Sequence, residues 1–145
     1  MILQNLDDPN TSLPPSTQGT ARSNVIKAKI EISNLGYDSR KVPAVIDCDG
    51  SKGHYCINYS PCITASRGAG GGHWLMNRGR RQNLREMIRL MGVKVARVQD
   101  VLDEETISQR KLGHCIGNAV PVTLISRIYE RLLPAIGFKL PKVLK

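Results

Sequence analysis

The sequence predicts a small α+β protein, with short β-strands up to about residue 77 and helices from there to the C-terminal end. Three observations carry that expectation. Between Val42 and Met76 the apolar residues come in short runs cut by Asp-Gly and glycine-rich breaks, the patterning of strands and turns. After Asn77 they recur at helical spacing, as in Leu84, Met87, Ile88 and Met91. The length, 145 residues of which 41% are apolar, allows one modest core. That core is largely aliphatic, because the chain holds only four Tyr, one Trp and one Phe.

Residues 1–22 are rich in Pro, Ser, Thr, Asn and Asp and predict a disordered N-terminal segment. Residues 23–77 then form one region, a helix followed by strands and loops. Ser23 reads as the N-cap of a helix with Val25, Ala28, Ile32 and Leu35 on one face, and Gly36 as its stop. "VPAVIDCDGS" predicts a strand over Val42–Asp47 ending in an Asp-Gly turn, and "YCINYSPCITAS" one or two more. "RGAGGGHWL" reads as a loop running into a strand at His73–Met76. Residues 78–145 form a C-terminal helical segment. Asn83 and Glu86 have capping-box spacing ahead of a helix that Gly92 closes. A short helix follows over Ser108–Gly113, and a last one over about Pro121–Leu133 with Pro121 in its first turn.

The formal charge of +9 favours a polyanion such as nucleic acid as partner. No apolar run approaches the roughly 20 residues that cross a bilayer, so no membrane partner is expected. "MILQNLDDPN" carries acid where a signal peptide carries base, which predicts an intracellular protein, nuclear or cytoplasmic. The four cysteines do not read as a disulfide scaffold. Cys48, His54, Cys56 and Cys62 offer four zinc-type ligands within fifteen residues. Their spacing lacks the paired short knuckles of structural zinc sites, so buried or idle thiols are the favoured reading.

Three features point to chemistry. From Arg78 to Arg97 seven bases (Arg78, Arg80, Arg81, Arg85, Arg89, Lys94, Arg97) stand against one acid, Glu86. Such clustering suits phosphate neutralisation, although a solvated helix face has the same composition. Gly68, Gly70, Gly71 and Gly72 allow close approach of backbone N–H groups to a ligand, with Thr64, Ser66 and Arg67 just before them. A flexible connector is the plainer reading. Gly117-Asn118, read at a helix start, presents free N–H groups and the positive end of a helix dipole. An ordinary cap is again the plainer alternative.

Taken in order, these segments resemble the C-terminal end of the DNA (cytosine-5-)-methyltransferases. "SPCITASRGAGGGHW" (60–74) looks like the end of the target-recognition region, "RRQNLREMIRLMGV" (80–93) like the ninth conserved block, and "IGNAVPVTLISRI" (116–128) like the tenth. The resemblance covers about residues 40–133. The chain departs from the family pattern at Asn83-Leu84, where Thr-Pro is usual, at Val93-Lys94, where Phe-Pro is usual, and at Cys115, where Gln is common. By this resemblance Asn118 and Ala119 would line the methionine end of S-adenosyl-L-methionine. Thr64, Ser66, Arg67, Gly70 and Gly71 would approach DNA near a flipped cytosine, and Arg81 and Arg85 would brace the recognition region. The C-terminal helices would pack on a Rossmann-like methyltransferase domain.

The family's Pro-Cys-Gln nucleophile, Glu-Asn-Val acid and glycine-rich cofactor loop are missing from this sequence. Pro61-Cys62 is followed by Ile, with no Glu-Asn-Val downstream, so Cys62 is not read as a nucleophile and no catalytic residue is assigned. The resemblance therefore implies a fragment or subunit, inactive alone, that adds DNA recognition and part of the cofactor pocket to a second polypeptide holding the catalytic half. A truncated product, a split-enzyme subunit and an incomplete gene all fit. The alternative class is a stand-alone basic nucleic-acid-binding module.

Overall fold

The computed structural model describes residues 13–103 and 107–138. Among them is a small α+β arrangement: one four-stranded antiparallel sheet and six α-helices. Helix α1 (Gly19–Asn34) precedes strands β1 (Ala44–Ile46) and β2 (Tyr55–Ile57). A five-residue helix α2 (Ala65–Ala69) leads to β3 (Trp74–Leu75) and β4 (Arg80–Arg81), joined by a 3-10 turn. Helices α3 (Leu84–Leu90), α4 (Gln99–Asp103), α5 (Gln109–Asn118) and α6 (Val122–Ala135) complete the order.

The strands lie in the order β2-β1-β3-β4, with Val45 opposite both Cys56 and Leu75. Side chains alternate across a sheet, so Ala44 and Ile46 share the face that α1 covers. Val25, Ala28 and Ile32 of α1 pack there with Ala44, Ile46, Cys48, Trp74 and Met76, all buried. The helix spacing read from the sequence places three of its four apolar residues in this core. Leu35 is the exception: it is the C-cap and 61% exposed, because the helix ends at Asn34 before Leu35 can turn inward. Gly36 follows at φ +83°, the left-handed stop expected there.

Helix α1 also starts four residues before Ser23. Its N-cap is Gln18, with no side-chain cap, and Ser23 lies exposed inside it. Leu13 packs on the core, Pro14 is buried, and the Arg22 guanidinium donates to the Pro14 carbonyl (3.0 Å). The expected disorder of residues 1–22 is thus corrected for 13–22, where apolar anchoring orders the chain; residues 1–12 lie outside the described residues. At α3 the capping box forms in full. Glu86 N–H donates to Asn83 Oδ1 and Asn83 N–H to Glu86 Oε2, both at 2.9 Å.

Helix α6 begins against the end of α3. Val122 N–H donates to the Met91 carbonyl at 2.8 Å, and a Cβ on Gly92 (φ +75°) would stand 2.9 Å from the Thr123 methyl. Pro121 is the N-cap rather than part of the first turn. No residue of α6 is buried. No helix among the described residues is long and apolar enough to cross a membrane.

Candidate nucleic-acid interface

An acidic turn organises the charged part of the molecule. After β1 the chain runs Asp47-Cys48-Asp49-Gly50, and buried Asn24 of α1 holds it, donating to the Cys48 (2.8 Å) and Gly50 (2.7 Å) carbonyls. Asp47 accepts from Arg67 Nε. Its same oxygen lies 3.8 Å from Nδ1 of His73, a ring only 1% exposed. His73 Nε2 contacts the Cys62 carbonyl at 3.2 Å, whereas Nδ1 is buried without a hydrogen-bond partner. Burial pushes the His73 imidazole below its ordinary value, against the pull of the Cys62 carbonyl and Asp47. Asp49 takes both Arg81 guanidinium nitrogens at 2.7 Å, and Arg81 also donates to the Gly72 carbonyl at 3.0 Å. The Arg81 hydrogen bond holds the Asp49 carboxyl below the usual carboxylate range.

Arg67 and Arg81, expected near DNA or bracing the recognition region, are thus tied to the β1 turn. Arg85 instead meets Gln99 (2.7 Å) and Asp103 (3.6 Å) of α4, a helix absent from the sequence expectation. Arg80 makes two bonds to Glu86, at 2.8 and 2.9 Å, with Arg78 also 3.8 Å from that carboxylate. Of the basic run, Arg89, Lys94 and Arg97 remain exposed with no acidic partner among the described residues.

The start of the glycine-rich stretch and the Gly-Asn turn differ from expectation, for one physical reason, whereas residues 70–73 run as a loop into β3 as expected. Residues 65–69 are helical, with Thr64 as N-cap. Residues 109–118 are a single helix, so Gly117-Asn118 ends α5 instead of starting α6. A Cβ on Gly68 or Gly113 would overlap the other's carbonyl, and one on Gly117 would overlap the Thr64 carbonyl. Bare glycine backbones let the two helices touch main chain to main chain. Gly113 and Gly117 therefore serve a close contact within a helix, not a break in it.

This corrects the anion-site reading of Asn118 and Ala119. Asn118 is the last residue of α5 and Ala119 its C-cap, where the helix dipole is negative and N–H groups are already spent. Both residues are exposed, and Asn118 Nδ2 lies 3.5 Å from His114 Nε2. As a cofactor site they offer the edge of a wall: one amide and one methyl, with no cradle of free N–H groups for a carboxylate.

The same contact opens a groove of about 930 Å³ between α2 and α5. Thr64, Ser66 and Gly70 line it from one side, and Ser108, Arg110, Lys111 and His114 from the other. No carboxylate is among its lining residues. Ser108 is the side-chain cap of α5, and Arg110 and His114 sit one turn apart on it. The structure thus brings Thr64, Ser66 and Gly70 together with Arg110, Lys111 and His114, which sequence reasoning missed. The missed signal was an Arg-Lys-x-x-His spacing behind a Ser cap. Gly71, at φ +89°, turns the chain from α2 towards β3 beside Arg81.

Cys48 and Cys56 are buried, Cys62 and Cys115 exposed. Cys56 Sγ lies 3.5 Å from His54 Nε2, but among the described residues no three His, Cys, Asp or Glu side chains come together to hold a metal. Comparison of the chain with protein families, curated proteins and solved structures gives no significant match.

Proposed function

We propose that the chain is the C-terminal, DNA-recognising part of a cytosine-specific DNA methyltransferase, completed by a second polypeptide that carries the catalytic half. The observation that carries this reading is the convergence of the three resembling segments. Thr64–Gly68 lies backbone to backbone on Gly113–Gly117, and Met91-Gly92 receives Val122-Thr123. The three segments, far apart in sequence, touch one another at Thr64 and Gly117 and at Met91 and Val122, as parts of a single site would.

Helix α6 supports the second polypeptide. Leu124, Ile128 and Leu132 are 50%, 46% and 46% exposed, on a helix whose apolar residues fill one half of its circumference. Covering each would gain about 1 kcal/mol, a stabilisation available only from an apolar partner surface. In this reading that surface is the Rossmann-like sheet of the catalytic half. S-adenosyl-L-methionine, bound mainly by that half, supplies the methyl group for cytosine carbon 5. This chain's part is to hold DNA and to close one edge of the cofactor site with Asn118 and Ala119.

Reconstitution tests the proposal. Mixed with a polypeptide bearing the Pro-Cys-Gln and Glu-Asn-Val blocks, the chain should restore transfer of labelled methyl groups to duplex DNA, and neither part should act alone. No transfer from a mixture that forms a stable complex would leave the stand-alone nucleic-acid-binding module as the better reading. An adjacent reading frame encoding those two blocks would favour the split enzyme.

A further inference from the structure

We propose that the groove between α2 and α5 seats the phosphodiester backbone of DNA, with Arg110 and Lys111 as its charge contacts and Ser66 and His114 as its hydrogen-bonding contacts. The sequence-level candidates for that task, Arg67, Arg81 and Arg85, are engaged inside the chain. Nothing comparable occupies Arg110 or Lys111, both exposed and without an acidic partner among the described residues. A polyanion needs cations not already neutralised, because affinity follows the counterions that free bases displace.

The lining chemistry narrows the ligand. Two basic side chains, an imidazole and the hydroxyls of Thr64, Ser66 and Ser108 face one cavity with no carboxylate among them. Thr64 Oγ1 and Ser66 Oγ lie 3.1 Å apart, so one hydroxyl can donate to the other while the second donates outward. Such sets bind phosphate oxygens and fix the register of a strand without reading its bases. At about 930 Å³ the groove has room for more than a single phosphate group. Its concavity suits a strand rather than a flat lipid surface. That the polyanion is DNA rests on the function proposed above; the phosphate seat itself does not.

Fluorescence anisotropy with a labelled 20-base-pair duplex over a salt series tests the seat. Arg110→Ala/Lys111→Ala should lower affinity at least about tenfold at low salt and reduce the slope of log K against log salt by about two. Alanine favours helix, so α5 should persist, which circular dichroism checks. Ser66→Ala should weaken binding about threefold with the slope unchanged. An unchanged slope in the double variant, with loss instead in Arg89→Ala/Lys94→Ala/Arg97→Ala, would overturn the proposal. So would parental binding to vesicles of anionic lipid with none to the duplex. A duplex of only A·T pairs should bind equally well, so failure of methyl transfer leaves this result standing. An RNA duplex bound tenfold more tightly than DNA would reject DNA as the ligand.

Discussion

His73 illustrates how one buried side chain sets a pH limit. Burial disfavours the charged form of its ring, and its Nδ1 has no hydrogen bond to lose. As pH falls through 6.5 the unfolded chain takes up a proton that the folded chain resists, so stability should decline from there downward. His73→Gln, which keeps a donor for the Cys62 carbonyl, should flatten the decline of stability below pH 6.5 in urea titrations. A parental slope in that variant would assign the decline elsewhere. The carboxylates act lower. The Arg81 bond depresses Asp49, while at Glu86 burial is outweighed by Arg80 and the Asn83 N–H. Their stabilisation is present above the ordinary carboxylate range and is lost as pH drops below about 4. Arg81→Ala should cost about 1.5–3 kcal/mol and shrink that acid limb. Asn24→Ala leaves two carbonyls of the acidic turn without their donor and should cost a similar amount, read by the same titrations.

At the scale of elements, legibility followed whether a signal was local. The α3 capping box was readable because both of its bonds join residues three apart. The core face of α1 was readable from the spacing of Val25, Ala28 and Ile32. What the sequence hid were partners. Gly113 read as the end of one helix and Gly117 as the approach to the next, since the reason for both, the Gly68 and Thr64 carbonyls, lies some 45 to 53 residues away. Arg67 and Arg81 looked available for DNA because nothing local shows that Asp47 and Asp49 face them. Strand β4 is only two residues long, too short for any alternation to register. The glycine contact makes a sharp prediction. Gly68→Ala or Gly113→Ala forces α2 and α5 apart and should cost about 1–3 kcal/mol or more, measured by thermal unfolding. It should also abolish duplex binding, because the groove has α2 and α5 as its walls. Equal stability in both variants would contradict the backbone-to-backbone packing.

The whole molecule divides into a part that satisfies itself and a part that does not. Helix α1 and the sheet enclose their own core, whereas α6 is a 14-residue helix with no buried residue, held at its start by Met91 and Gly92. A helix of that length without packing is marginal in water. Leu124→Glu/Ile128→Glu should therefore leave the stability of the isolated chain within about 0.5 kcal/mol and yet prevent assembly with the proposed catalytic polypeptide, followed by gel filtration.

Amide hydrogen exchange of α6 tests whether another polypeptide completes this chain across that helix, as proposed above. In the isolated chain, residues 122–135 should exchange with little protection while α1 stays protected. With the proposed catalytic polypeptide added, protection of α6 should rise at least a hundredfold while that of α1 is unchanged. Strong protection of α6 in the monomeric chain alone, with no change on mixing, would contradict the account.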